Sequence, residues 1–303
     1  VIKSGSIRVK DFKGERDVAV AKPTASLEDA INDAALIVIP LPALAHVSLA
    51  TQCATLWRDG QVVFLPPGTL GSYLFLKEAR LAGNHADVTF GETGTLPYLA
   101  RKHDNNYVVI SSYGKRLPTG FIPAKNDAHA RAVLLKAYPA VEPCEDALSG
   151  ALMNAGPIIH PPLIMMNAGP LEHFETWDIH NEGTQPSIRK VTDALDAERV
   201  AIREALGYSA PHYPLADHYA KEGEEWMYGR GAHDKLTDSG DWREDIELQS
   251  HRYMLEDTRI GLSLFSSIGN LAEVKTPVID AFLALGGAIT GRDFLEEGRT
   301  LES

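Results

Sequence analysis

The chain has 303 residues, room for about two domains, with 44% hydrophobic residues and 29 basic against 41 acidic side chains, a formal net charge of −12. That balance argues against a nucleic-acid surface, which needs a basic patch, but leaves room for a small anionic ligand held by a local arginine. The longest apolar run, 34–45, is interrupted by Pro40 and Pro42 and is too short to span a bilayer. Two cysteines, Cys53 and Cys144, are too few for a disulfide framework, so a cytoplasmic setting is expected.

From Ser26 to about Tyr138 strand-like and helix-like stretches alternate. Ser26 with Asp29 resembles a capping box opening a short helix. "ALIVIP" (35–40) has the length and continuous apolarity of a buried parallel strand. "ALAHVSLATQCATLW" (43–57) has helical length and is closed by Asp59-Gly60. "QVVFLPP" (61–67) reads as a second buried strand. A helix over 70–82 stops at Gly83, and "ADVTF" (86–90) is a third strand. This alternation predicts βαβ units and a parallel sheet. "YVVISS" and "RLPTGFI" are expected as an antiparallel edge addition, and 126–138 as a helix.

From Glu145 the strand-like runs vanish. The segment 145–169, "EDALSGALMNAGPIIHPPLIMMNAG", reads as a long apolar helix that Pro157, Pro161 and Pro162 should kink or break, since a helix interior disfavours proline by about 3 kcal/mol. A break beside His160 would let freed backbone groups and the imidazole face a cleft; a satisfied core histidine is the plainer alternative. The stretch 187–208 places Val191, Leu195, Val200, Ile202 and Leu206 on one helical face. "GRGAHDKLTDSGDWRED" (229–245) reads as a polar surface loop, with a flap as the alternative. Two domains follow: a partial Rossmann-type domain over 1–144 and an all-α domain over 145–303.

In open α/β sheets ligands bind beyond the carboxyl ends of the strands. Three strand ends carry Pro40-Leu41-Pro42, Pro66-Pro67-Gly68 and Gly91-Glu92-Thr93. Ordinary turn chemistry explains each alone; three in register point to a cofactor site, with Pro40, Leu41, Pro66, Gly68 and Glu92 as candidates. No G-x-G-x-x-G turn follows a strand. In "SHRYMLEDTRIGL" (250–262), Arg252 and Glu256 are four apart and Arg252 and Asp257 five apart, so on an α-helix they lie about 40° and 140° from one another. A solvated Arg/Glu surface pair is the plainer alternative. His212, Asp217 and His218 are a weak metal candidate lacking helical H-x-x-x-H spacing, and no metal is expected.

With these residues in view, the chain resembles the octopine/nopaline (opine) dehydrogenase family. "GALMNAGPIIHPPLIMMNAG", "EGTQPSIRKVTDALDAERVAI", "HRYMLEDTRIGL" and "EGRTLE" are similar to four family phrases in the family's order. The resemblance implies a Rossmann-type domain followed by a helical one, NAD or NADP as cofactor, and reductive condensation of an amino acid with a 2-oxo acid. It implies His160 as the proton shuttle, Asp257 as its partner and Arg252 as the carboxylate clamp. Thr93 and Asn154 are further candidates for substrate contact. Partners are the two small molecules, with no nucleic acid or membrane and a homodimer as a possible assembly. Another 2-oxo-acid or imine reductase of the same plan, or a non-catalytic remnant, are the rivals. The chain lacks an initiator Met and the first βαβ unit that the family carries, and it stops abruptly at "EEGRTLES", so truncation at both ends is expected.

Overall fold

The computed structural model describes residues 4–104, 106–223, 225–238, 240 and 242–302. Its first half holds two sheets. Strands β1 (Ser6–Asp11) and β2 (Gly14–Ala19) form a hairpin, followed by α1 (Leu27–Ile31), whose cap Ser26 accepts the Asp29 amide at 3.2 Å. Then come β3 (Leu36–Val38), a 3₁₀ turn over Ala43–Ala45, α2 (His46–Cys53), β4 (Val62–Leu65), α3 (Gly71–Leu81) and β5 (Thr89–Thr93). Strands β6 (Tyr98–Asp104), β7 (Tyr107–Tyr113) and β8 (Leu117–Ile122) follow, then α4 (Asp127–Leu135) and β9 (Val141–Pro143).

The main sheet has the order β3-β4-β5-β8-β9. β3, β4 and β5 run parallel, Leu36 opposite Val62 and Val62 opposite Thr89. β8 lies antiparallel on β5, and β9 parallel on β8. Successive residues of β4 serve opposite faces, as the strand period requires. Val63 and Leu65 pack with Trp57, Phe75 and Phe90, while Val62 and Phe64 pack with Phe121, Ala130 and Leu134. Helices therefore cover both faces of a Rossmann-like parallel core. The expected edge addition is corrected in part. "RLPTGFI" does pair antiparallel but is flanked by β9, whereas "YVVISS" belongs to a second sheet of order β2-β1-β7-β6.

The second half is helical: α5 (Ala147–Ala151), α6 (Gly156–Met165), α7 (Ala168–His173), α8 (Pro186–Ala205), α9 (Ala216–Tyr219) and α10 (Ala232–Asp238), then a π-helix over Tyr253–Leu262 that runs into α11 (Ser263–Leu271), and finally α12 (Pro277–Thr290) and α13 (Phe294–Glu297). Among the described residues no helix is long and apolar enough to cross a membrane.

Two expectations need correction here. The break in 145–169 falls at 152–155, not at the prolines. The Asn154 side chain accepts the Gly156 amide at 3.0 Å and the Ala155 amide donates to the Gly94 carbonyl at 3.2 Å, so both are drawn out of a helical ladder. Pro157 sits in the first turn of α6, where its missing N–H costs nothing, and the helix runs on through Pro161 and Pro162. The stretch 229–245 is not a plain surface loop either, because it contains α10 and buries Leu236 and Trp242.

The α8 face also differs from a purely apolar stripe. Asp196, Arg199 and Arg203 are buried on it beside Leu195 and Ile202. Arg199 bonds Asp196 at 2.6 Å, the Leu152 carbonyl at 3.0 Å and the His212 carbonyl at 3.0 Å. Asp196 also accepts the Leu215 amide at 2.7 Å. This network ties α8 to the end of α5 and to the 212–215 turn. Asp196→Ala should therefore lower unfolding free energy by about 3–5 kcal/mol, the usual cost of stranding a buried charge. Urea unfolding followed by far-UV circular dichroism measures it; a loss under about 1 kcal/mol would show that Arg199 finds other compensation.

Candidate active site

The centre of the site is a close contact between α6 and the π-helix. A Cβ on Gly156 would overlap the Asp257 carboxylate, and one on Gly261 would overlap the Pro157 ring. Two glycines, one per helix, let the backbones approach until His160 Nδ1 lies 2.8 Å from Asp257 Oδ2. Tyr253 stacks on the imidazole at 3.7 Å and 11°, fixing its plane. His160 lines a cavity of roughly 220 Å³, and its Nε2 makes no hydrogen bond among the described residues.

The π winding changes the geometry expected for 250–262. In a π-helix the bonds run i→i+5, so residues five apart stack. Arg252 and Asp257, far apart around an α-helix, now share a face, and both line the cavity with Glu256. Arg252 Nε lies 3.4 Å from Glu256 Oε2. Only one member of the pair is solvated, however: the Arg252 side chain is 49% exposed. Glu256 is buried and accepts the Ala43 amide at 2.8 Å, reaching across to the loop after β3.

Pro40, Leu41, Pro42, Pro66 and Pro67, at the carboxyl ends of β3 and β4, form the opposite wall. They are held from behind. Arg299 donates to the carbonyls of Thr69 at 2.5 Å, Gly68 at 3.4 Å and Ala43 at 3.4 Å. Asn154, which also lines the cavity, donates to Thr69 Oγ1 at 3.2 Å.

Of the residues singled out in the sequence, Pro40, Leu41, Pro66, Asn154, His160, Arg252 and Asp257 thus meet around one cavity. Gly68, Glu92 and Thr93 do not line it. Glu92 is buried behind Gly68, accepting the Ser72 amide at the start of α3 at 2.7 Å, and Thr93 donates its hydroxyl to the Pro118 carbonyl at 2.9 Å. β5 continues through both residues, so it is the next three, Gly94, Thr95 and Leu96, that reach the cavity. His212 and His218 do not converge: His212 Nδ1 accepts from Arg203 Nε at 3.1 Å, while His218 packs against Trp226 and His233.

Sequence reasoning missed the remaining wall. Arg101 of β6 lies 3.7 Å over the Trp242 ring and pairs with Glu244. His180 stands edge-on to both His160 and Trp242, at 5.9 and 6.0 Å. Trp226 and Tyr228 complete it, the Tyr228 hydroxyl bonding Thr95 and the Leu96 amide. Two tryptophans and a tyrosine in the stretch 226–242 were the available signal that it was not a loose loop.

Burial governs the electrostatics. It holds His160 well below the ordinary imidazole value, and the Arg252, His251 and Arg101 cations add to this against Glu244. The ring is therefore neutral near pH 7, and an ionised Asp257 takes its Nδ1–H and leaves Nε2 as a base. Burial pushes Asp257 up, to about 7, opposed by Arg252 and His251. Glu92, fully buried, is likewise pushed up to about 7.

Residues 143–290 match the family described as NAD/NADP octopine/nopaline dehydrogenase, alpha-helical domain. An opine dehydrogenase of Arthrobacter sp. (strain 1C) is 28% identical over 285 residues, covering 92% of this chain and 77% of the relative. A vitopine synthase of Allorhizobium ampelinum is 25% identical over 292 residues, 91% of this chain and 76% of its own. An octopine dehydrogenase solved with NADH and agmatine superposes with a TM-score of 0.69 at 17% identity, over 95% of this chain and 78% of that one.

The charge balance of the dyad can be tested directly. Arg252 opposes protonation of both His160 and Asp257. Arg252→Gln removes that cation, so the dyad should take up its proton at higher pH. An NMR titration of the His160 ring protons reads this; an unchanged or lowered midpoint would mean that Arg252 does not act on the dyad.

Proposed function

We propose, from the match of residues 143–290 to the NAD/NADP octopine/nopaline dehydrogenase helical-domain family, that this chain is an opine dehydrogenase-type oxidoreductase, condensing the amino group of an amino acid with a 2-oxo acid and reducing the product with NAD(P)H. Residues 1–144 serve the cofactor and 145–303 the substrates. The observation that carries the reading is one cavity with a His160–Asp257 pair on one wall and the strand-end prolines on the other.

The residues present fit the nicotinamide end of such a cofactor. Pro40, Leu41 and Pro66 offer a flat apolar surface whose backbone is fixed by Arg299 and Glu256, as a planar ring requires. When bound, the reduced nicotinamide supplies the hydride. The protein does the rest. Neutral His160 accepts a proton at Nε2 from the substrate ammonium, freeing the amine lone pair to attack the oxo carbon. The imidazolium so formed is held by Asp257 at Nδ1. It returns a proton to the carbinolamine hydroxyl, which leaves as water, giving the imine that is reduced. Arg252, with its guanidinium in the cavity, binds the oxo acid's carboxylate through a planar fork. Tyr253 keeps the imidazole from turning, and the walls of Trp226 and Trp242 shield the imine from water.

His160→Ala should lower kcat by about 10² to 10⁴-fold, the range for losing a general acid/base, with NADH affinity by fluorescence titration nearly unchanged. Near-native turnover would remove His160 from the mechanism.

Arg252→Lys keeps the charge but loses the fork. KM for the 2-oxo acid should rise at least tenfold while KM for the amino acid moves much less. Equal effects on both would make Arg252 a structural partner of Glu256 instead.

A further inference from the structure

The strand-end prolines and Arg252 face one cavity from opposite halves of the chain, and Glu256 touches both sides. Its Oε1 accepts the Ala43 amide at 2.8 Å and its Oε2 lies 3.4 Å from Arg252 Nε. Ala43 opens the 3₁₀ turn that leads into α2, and Pro42 before it makes no side-chain capping bond. The first N–H groups of a helical segment need an acceptor from outside it. Here a carboxylate 213 positions away supplies one. Arg299 takes the carbonyl of the same residue at 3.4 Å, so Ala43 is held at both its N–H and its C=O. Ala43 directly follows Pro40-Leu41-Pro42, and its placement fixes that wall. On the other side, the contact with Arg252 uses the Nε flank of the guanidinium. A guanidinium engaged along that flank keeps its terminal edge for a second carboxylate. The charge of Glu256 depends on the same two contacts. Burial and the adjacent Asp257 push its pKa up, while Arg252 and the Ala43 amide draw it back. Loss of either contact therefore weakens its hold on the other.

Resting on the function proposed above, we infer that Glu256 is the positioning residue that sets the 2-oxo acid against the nicotinamide, one oxygen fixing the wall on which the nicotinamide lies and the other aiming the Arg252 fork. Both oxygens belong to one carboxylate. The separation between wall and clamp is therefore set by a single short side chain and not by packing across a whole interface. Hydride transfer is sensitive to such a setting, since a misplacement of about 1 Å can cost on the order of 10²-fold in rate. Glu256 acts through Arg252 and the loop, while its neighbour in sequence, Asp257, serves His160. The π winding assigns adjacent carboxylates to different partners: one to the base, the other to the clamp and the opposite wall.

The test uses the full chain and two variants that separate the oxygens. Glu256→Gln keeps an oxygen for the Ala43 amide but puts an NH₂ against Arg252; Glu256→Ala removes both contacts. Three measurements are made: amide exchange at Ala43 in the ligand-free protein by NMR, NADH affinity by fluorescence, and calorimetric titration of oxamate, isosteric with pyruvate and inert to reduction, into the NADH-bound protein. Glu256→Ala should speed exchange at Ala43 and weaken NADH, each at least about tenfold, whereas Glu256→Gln should leave both within about threefold. Oxamate should bind at least about tenfold more weakly to either variant. In an Arg252→Lys background the effect of Glu256→Gln on oxamate should shrink to within about threefold, because the fork it aims is gone. A merely structural role would move all three readouts together in both variants, and that result overturns the inference. Unchanged exchange at Ala43 in Glu256→Ala, or an oxamate affinity indifferent to Glu256→Gln, overturns it as well. If Glu256→Ala does not fold, the split between oxamate and NADH in the isosteric Glu256→Gln decides alone. A wild type that shows these shifts yet condenses no amino acid with pyruvate would refute the reaction and keep the positioning role, since none of the three measurements requires turnover.

Discussion

The site depends on how closely two helices approach. His160 and Asp257 are 97 positions apart in sequence, and their 2.8 Å contact exists because Gly156 and Gly261 present no side chain where α6 meets the π-helix. A pair this buried must be mutually satisfied, since either charge alone would be expensive in that environment. Steric allowance in the backbone is thus converted into a fixed partner for Nδ1 and a free Nε2. Tyr253 closes the arrangement from the side, so the imidazole has one plane and one partner.

A second constraint joins the two halves of the chain. Strand-end loops carry the apolar wall, but loops are usually the least fixed parts of a fold. Here Glu256 holds the Ala43 amide and Arg299 holds the carbonyls of Ala43, Gly68 and Thr69. Both side chains come from the helical half and both bind backbone, so they fix loop position whatever side chains the loops carry. The wall facing His160 is therefore positioned by groups that do not themselves touch the reacting atoms.

The parallel strands were legible because each is a short continuous apolar run ending in proline or glycine, and β4 shows both faces buried by alternation. His160, Asp257 and Arg252 were reached through family phrases and not through periodicity, which on an α-helix would have separated Arg252 from Asp257. The π winding that joins them leaves no composition signal. Glu92 and Thr93 looked like strand-end residues, yet β5 runs through them and buries them. The buried face of α8 was read by its aliphatic residues alone, because Arg199 and Asp196 are charged and only their mutual bonding lets them enter a core. Arg101 escaped notice for a topological reason: β6 belongs to the second sheet, whose pairing with β7 and β1 no local pattern announces.

The π-helix has a consequence for how this chain can change. A helix bonded i→i+5 is usually less stable than the regular α form and persists where the site requires it. Loss of one residue within 253–262 would let the segment relax to ordinary winding, and the resulting protein could be the more stable one. It would also turn Asp257 away from His160. Length in this segment is consequently under opposite pressures from folding and from chemistry, a local instance of the trade between stability and activity. Descendants of this sequence should tolerate exchange of residues here far better than insertion or deletion.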